Sequence, residues 1–368
     1  MPTSQDVVII GGGAVGAACA RELTGAGRSV LVIDPTERAG EAWRASAGLI
    51  APQIGAREDS AMFELGIAGR EYYRTQAGPL NEETGVDIDL FDGGILQLAR
   101  GGEEEDALKA AVAWQRQHGH RADWLDPAEV RREFHWAGSN DGALLAAHDG
   151  SVNPVRLVEA LRESARRRGA RFVTGIGAGL VIEGHRVTGA RTDGDTYPAG
   201  EVIVAAGAWS GRLEGLPRPV SVEPVRGQMV AKPWPAKVPR SIVYGGHGYV
   251  LERNGEALCG ATVEHAGFVS ANTAAGEREV VEIGNSLLPS LAALAVVRRW
   301  AGLRPGTPDG LPIVGREPTV PNLWYMTGYG RNGILLAGIT AVALTHLMGN
   351  EATFEGIEAL RPERFWSW

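Results

Sequence analysis

Asp6-Val7-Val8-Ile9-Ile10-Gly11-Gly12-Gly13-Ala14-Val15-Gly16 is the stretch that decides the architecture of this chain. Four apolar residues in a row, Val7 to Ile10, run into glycines. So short a continuous apolar run reads as a strand buried on both faces of a parallel sheet. Gly11, Gly13 and Gly16 then spell G-x-G-x-x-G. The first glycine allows a tight turn. The second lets a pyrophosphate approach the backbone. The third lets the next helix pack close to the sheet. That helix is expected from roughly Ala14 to Ala26, with Val15, Ala18, Cys19 and Leu23 along one face. Its N-terminus, at Ala14 and Val15, points free N–H groups and the positive end of the helix dipole at the phosphates. A second strand, Val30 to Ile33, ends at Asp34. That acid lies 23 positions beyond Gly11, about where the fingerprint places a carboxylate on a ribose hydroxyl.

With strand, turn, helix, strand and acid in register, the segment predicts dinucleotide binding. An acid at Asp34 argues against a 2′-phosphate and so against NADP. The motif by itself leaves NAD and FAD both open.

Composition narrows the field. The 368 residues suffice for two domains, or for one large domain with an insertion. Apolar residues at 44% and charged residues at 22% suit a globular protein, while the 51 glycines are about twice the usual share. A net charge of −8 disfavours nucleic acid, which needs a basic face. Two cysteines, Cys19 and Cys259, stand far apart with no C-x-x-C. No disulfide framework and no zinc or other metal site is therefore expected, and Cys19 reads as a core residue. No apolar run approaches membrane-spanning length. A buried strand so close to the start leaves no room for a signal peptide, so a cytoplasmic protein is expected.

Further along, Ala45 to Pro52 alternates small and apolar residues in neither helical nor clean strand period. It suits either a backbone lying against a flat ligand or an ordinary loop. Ser60 is expected to cap a helix from Ala61 to about Gln76. Val86 to Leu98 reads as a strand pair around Gly93-Gly94. Glu103 opens a helix to about His118, and Asp126 to Glu129 is a capping box. Asn153-Pro154 starts a helix that stops at Gly169, with a strand at Arg171–Thr174. Glu201 to Gly207 is another buried strand. From about Gly215 prolines and alternating segments take over: Val225–Val230, Gly248–Arg253 and Glu256–Val263. Asn254-Gly255 forms a hairpin turn between the last two. A helix runs from about Ala274 to Leu288, and Ala295–Arg304 is expected to lead back to the nucleotide domain. Leu323–Thr327 is a strand. Gly328 to Leu336 is a second glycine turn and helix start, suited to an anionic or electron-rich ligand.

The fold class expected is α/β: a dinucleotide-binding, Rossmann-like domain with a β-rich, mostly antiparallel substrate-binding domain. The first comprises residues 1–84, 146–214 and 301–368, and the second 85–145 and 215–300. The choice of FAD comes from a resemblance. The glycine motif with Asp34, Ser46-Ala47-Gly48, Ala205-Ala206-Gly207-Ala208-Trp209-Ser210-Gly211, Val225-Arg226-Gly227-Gln228, Leu303 to Gly315 and Arg331-Asn332-Gly333-Ile334-Leu335-Leu336 together resemble the glycine oxidase and D-amino-acid oxidase family. The likeness runs along nearly the whole chain and implies FAD. It adds Ser46, Ala47, Gly48, Ala178, Ala206, Gly207, Trp209, Arg331, Asn332, Gly333, Ile334 and Leu335 to the cofactor-binding residues. It assigns Arg304 to the substrate carboxylate, Tyr249 to a hydroxyl contact and Arg331 to a place beside substrate and flavin.

The resemblance also implies the chemistry. A small amino acid or amine such as glycine, sarcosine or a small D-amino acid loses hydride from Cα to flavin, and no dedicated base is required. The imino acid hydrolyses to keto acid and ammonia. Oxygen as electron acceptor gives hydrogen peroxide, and the spacing is close to that of the glycine oxidase that serves thiamine thiazole synthesis. A dehydrogenase using another acceptor and a flavin subunit of a larger complex stay open, as does a homo-oligomer. Tyr329-Gly330 precedes Arg331 where many relatives have histidine and an aromatic residue. Val263 stands where a methionine can line the pocket. His247 would share a strand face with Tyr249 if the strand were regular, and it reads more readily as a structural histidine than as a base.

Overall fold

In the computed structural model the described residues are 4–35, 37–56, 58, 60–176, 178–354 and 356–366. Val7, Val8, Ile9 and Ile10 are all buried in a strand, Gln5–Ile10. It pairs in parallel with Val30–Asp34 on one side and with Thr196–Val204 on the other. The sheet continues through Arg171–Thr174 beyond Val30–Asp34, and through Leu323–Thr327 beyond Thr196–Val204, both parallel. Ile313–Arg316 closes one edge antiparallel, and Gly179–Glu183 and Arg186–Arg191 extend from Thr196–Val204 as an antiparallel flap. The helices Ala14–Gly25, Pro154–Arg167, Ala61–Thr84 and Gly333–Met348 pack together on one side. Their shared core contains Cys19, Leu23, Tyr73, Leu161 and Leu336. Both Cys19 and Cys259 are free and buried.

The second sheet runs Arg298–Gly306, Glu223–Pro233, Glu256–Gly260, Gly248–Arg253, Ile242–Gly245, Ile95–Leu98, Ala143–Ala146 and Asp123–Leu125. All neighbours are antiparallel except Ile242–Gly245 with Ile95–Leu98. Asn254 and Gly255 both have positive φ at the tip of one hairpin, as an Asn-Gly turn requires. The helix Ala274–Leu287 covers one face through Val280 and Leu287, and the other face packs against Leu108, Ala111 and Val112 of the helix Gly102–Gln117 and against Ala47 and Ile54.

Four expectations are corrected. The helix from Ala61 runs on to Thr84 through Pro79. Gly78 has no Cβ to strike the proline ring, and the stop is Gly85, left-handed with its N–H bonded to Asn81. Residues 86–92 form no strand beyond a bridge at Phe91 to Ser151, so Ile95–Leu98 is the one strand of that span and its partners come from elsewhere in the chain. Arg298–Gly306 does not lead back to the nucleotide sheet. It is the edge strand of the second sheet, in register with Glu223–Pro233 through nine pairs from Glu223↔Gly306 to Ala231↔Arg298. His247 lies in the turn before Gly248 with φ 68°, not on the strand of Tyr249, because Gly246-His247 makes the reversal.

Candidate active site

In open α/β sheets ligands bind beyond the carboxyl ends of the strands where strand order reverses. Here the reversal falls between Gln5–Ile10 and Thr196–Val204, so the crevice lies at Gly11 and at Ala205-Ala206-Gly207. Gly11 has φ 106°, and a Cβ on it would sit 2.4 Å from the Ala205 carbonyl oxygen. A Cβ on Gly16 would sit 1.8 Å from the Gly11 carbonyl oxygen, so only glycine lets the helix approach the turn. Gly13 is the helix N-cap and supplies no side-chain cap, which leaves the first-turn N–H groups for a ligand.

A single cavity of about 920 Å³ begins there and reaches the second sheet. Gly11, Gly13, Ala14, Val15, Asp34, Ser46, Ala47, Gly48, Ala178, Ala206, Gly207 and Trp209 line it, as do Arg331, Asn332, Gly333, Ile334 and Leu335. Gly16 packs behind the wall. The cavity thus brings together all but one of the residues expected at the cofactor. Its glycine-lined turn with free first-turn N–H groups and its size fit a dinucleotide. The Ser46–Gly48 stretch is held by a close approach of its own. Gly48 has φ 73°, and a Cβ there would meet the Val152 carbonyl oxygen at 2.0 Å. Asp34 is already engaged: one carboxylate oxygen accepts from the Gly12 N–H at 2.8 Å and the other from Arg162 at 2.6 Å. A carboxylate has about four lone-pair sites, so acceptor capacity remains for a ribose.

At the far end stand Arg304 and Tyr249. Arg304 lies flat over Gly227, where a Cβ would come within 2.4 Å of both its terminal nitrogens. One of these donates to the Thr262 carbonyl at 3.0 Å, and no acid pairs with Arg304 among the described residues. Burial lowers its pKa; Tyr249 raises it and Arg331 lowers it. Among the described residues the Tyr249 hydroxyl reaches the Met229 sulfur, at 3.6 Å. Burial pushes the phenol up to about 12, so it stays an O–H donor at neutral pH. Arg331 lies at the exposed rim, and His247 and Val263 also line the cavity.

Sequence reading missed several wall residues. Arg38 and Arg212 line the cavity, stacked on Trp209 and Phe268 respectively. Trp43 lies against Gly13. It also missed Arg253, whose two terminal nitrogens donate to the carbonyls of Ala47 at 2.8 Å and Val152 at 2.7 Å.

Another omission is Asp149. It is fully buried and accepts from the N–H groups of Gln53 and Ile54 and from Arg70. It thereby fastens the loop whose Ile54 lines the cavity. Burial pushes its carboxyl up to about 7, although Arg70 and the two N–H groups pull it down. Between about pH 4 and about pH 7 the folded state therefore holds a proton that the unfolded chain has released, and stability contributed by this group falls as pH rises. Asp149→Asn should flatten that slope. Urea midpoints of both proteins at about pH 5 and about pH 8 check it. Equal slopes would remove Asp149 as the source.

Comparison with known proteins gives a consistent picture. A glycine oxidase of Pseudomonas aeruginosa is 32% identical over 94% of this chain and 95% of its own. A bifunctional ThiO/ThiG protein of Nostoc sp. is 34% identical over 94% of this chain and 53% of its own. The crystal structure of a glycine oxidase from Geobacillus kaustophilus superposes with a TM-score of 0.91 at 29% identity, covering 99% of this chain and 100% of that one. The family model described as DAO, FAD dependent oxidoreductase, matches residues 6–347, and with the glycine cradle and the cavity running from it to Arg304, the chain belongs to this family of FAD-dependent oxidoreductases.

Proposed function

We propose that the protein oxidises small amino acids at Cα, with glycine, sarcosine or small D-amino acids as substrates. The observation that carries this reading is Arg304: a half-buried guanidinium on the cavity wall, beside the Tyr249 hydroxyl, with no acid to neutralise it among the described residues. Such a cation is costly alone and gains on meeting a carboxylate, which it can hold through two parallel N–H bonds. The protonated Tyr249 hydroxyl gives the same carboxylate a further donor. Two fixed contacts orient Cα, and orientation is the protein's main contribution to such a reaction. Leu49, Ile54 and Met229 add apolar side chains to the wall. The substrate amine enters neutral, so no side chain is needed as base.

The cofactor is placed along Gly11–Gly16, Asp34, Ser46–Gly48, Ala178, Ala206, Gly207, Trp209 and Arg331–Leu335. FAD supplies the two-electron acceptor, and oxygen as terminal acceptor gives hydrogen peroxide. The imino acid released hydrolyses to keto acid and ammonia, or to glyoxylate from glycine. The first sheet and its helices form the cofactor-binding unit and the second sheet the substrate-binding unit, with Arg298–Gly306 on the substrate side. The ThiO-named relative supports a role in supplying dehydroglycine for thiamine thiazole synthesis. The two buried free thiols suit a cytoplasmic enzyme.

The test is anaerobic bleaching of the flavin band at about 450 nm by glycine, sarcosine, D-alanine and D-proline, followed by air. Bleaching with rapid recovery supports an oxidase. Bleaching without recovery assigns the electrons to another acceptor. No bleaching by any of the four defeats the substrate class.

A further inference from the structure

The segment 264–273 leaves the second sheet and returns to it, and one buried amide holds both of its ends. At the start, Glu264 exchanges two backbone hydrogen bonds with Arg226, at 2.8 and 3.0 Å. At the finish, the Thr273 N–H donates to the Gln228 side-chain oxygen at 2.7 Å. The Gln228 amide nitrogen donates to the Glu264 carboxylate at 2.7 Å and to the Thr273 hydroxyl at 3.0 Å. Gln228 is fully buried, and a Cβ on Gly276 would come within 2.2 Å of that nitrogen, so glycine there leaves it room. Arg226 repeats the pattern. It pairs with the Glu264 carboxylate at one end and donates to the Ala271 carbonyl, at 3.2 Å, at the other.

Between these anchors the chain reaches across to the unit built on the first sheet. Gly267 turns it with φ 57°. The Phe268 ring packs on Trp209, with centroids 5.8 Å apart and planes tilted by 40°. The Arg212 guanidinium lies 4.1 Å over Phe268, and the Arg38 guanidinium 4.9 Å over Trp209. A Cβ on Gly40 would sit 2.9 Å from the Ser270 Cβ. Arg38 and Gly40 follow the strand that ends at Asp34, and Trp209 follows the strand that ends at Val204. Those two strands flank Gln5–Ile10, so the segment meets both banks of the crevice at Gly11. Arg38, Trp209 and Arg212 line the cavity there, and Val263, just before the segment, lines it from the second sheet.

We infer that Phe268 is a cofactor-retaining residue: the segment 264–273 closes over FAD in this cavity, and release of FAD waits on the parting of Phe268 from Trp209. This rests on the cofactor placement proposed above and is independent of which amine is oxidised. The clasp belongs to the sheet that carries Arg304 and Tyr249, so the substrate-side unit also holds the cofactor. Its two ends are fixed by buried hydrogen bonds. The opening step is therefore the separation of two rings, each with a guanidinium on it, and the rate of release follows the strength of that contact.

The experiment measures FAD exchange with no amine present. The FAD-loaded protein is incubated with an excess of isotope-labelled FAD and stripped of free flavin by gel filtration at intervals. Mass spectrometry of the bound flavin then gives the release rate. Phe268→Ala should speed release by about three- to tenfold, the loss of one aromatic pair with its flanking cation. Phe268→Leu keeps apolar bulk and loses the ring. It should fall between the two and serves alone if the alanine variant does not fold. Val269→Ala changes the exposed neighbouring side chain and should exchange like the unaltered protein. Equal rates for the unaltered protein and the Phe268 variants overturn the inference. So does an equal acceleration by Val269→Ala, because release then answers to any disturbance of the loop. A raised KM for glycine or sarcosine in Phe268→Ala with unchanged exchange makes the segment a substrate gate and overturns it too. Gly16→Ala tests the cofactor placement separately. If that variant keeps its FAD, the cavity is not the cofactor's. If it loses FAD while Phe268→Ala exchanges at the unaltered rate, the clasp alone is wrong.

Discussion

Arg304→Ala is expected to raise KM for amino-acid substrates by about 10- to 150-fold, the equivalent of about 1.5–3 kcal/mol for a charge-assisted contact, while FAD stays bound. The reason is local. The guanidinium lies over Gly227, is tethered to the Thr262 carbonyl and has no acid partner among the described residues, so its remaining donors face the cavity. Removing it leaves the strand Arg298–Gly306 intact, because the pairing to Glu223–Pro233 is made by the backbone. Steady-state kinetics with glycine or sarcosine, together with the flavin absorbance of the purified variant, separate the two effects. An unchanged KM would take Arg304 out of the carboxylate site.

Gly16→Ala is expected to have a larger effect on the protein itself. The added methyl would sit 1.8 Å from the Gly11 carbonyl oxygen and 2.9 Å from the Gly11 carbonyl carbon, both backbone atoms. Relief requires the helix Ala14–Gly25 to move away from the turn. That opens the contact with Gln5–Ile10 and shifts the N–H groups of Ala14 and Val15. A stability loss on the order of 2–4 kcal/mol is expected from such backbone overpacking, together with purification largely as apoprotein. Gly102→Ala is the control: it begins the helix Gly102–Gln117, and nothing lies within 4 Å of a Cβ there. It should change the melting temperature little or raise it slightly. A stable, FAD-loaded Gly16→Ala protein would show that the turn can relax without cost.

The nucleotide half was legible because its signals are local. Val7–Ile10, the three glycines, Asp34 and the Asn153-Pro154 cap each declare themselves within a few residues, and the helix and strands they start are where they were expected. The errors came where tertiary contact overrides local signal. Gly78-Pro79 looks like a helix end, yet the buried Tyr72, Tyr73 and Leu80 hold one helix on both sides of it. Arg298–Gly306 is strand-like in any setting, and only its partner Glu223–Pro233 tells which sheet owns it. His247 would share a face with Tyr249 only in a regular strand, and the turn at Gly246-His247 removes that condition. Arg304 and Tyr249 are ordinary residues in isolation, and their place in the cavity was expected from family resemblance. The pairs Asp34–Arg162 and Arg253–Ala47 span 128 and 206 positions, and no local pattern encodes a contact of that range.

Arg253 gives the site a ruler. It shares a strand and a strand face with Tyr249 four residues earlier, about 13 Å away at the usual rise of an extended chain. One end of that strand is pinned to the carbonyls of Ala47 and Val152, and Ala47 is on the cavity wall proposed for the cofactor. The spacing between the phenol and that wall is therefore measured out along a hydrogen-bonded strand, and the loops at the cavity mouth have no part in setting it. Changes in the loop that carries Val263 and Phe268 can retune which amines enter without altering where the reacting carbon comes to rest. Such a division lets substrate range drift in evolution while the chemistry keeps its alignment.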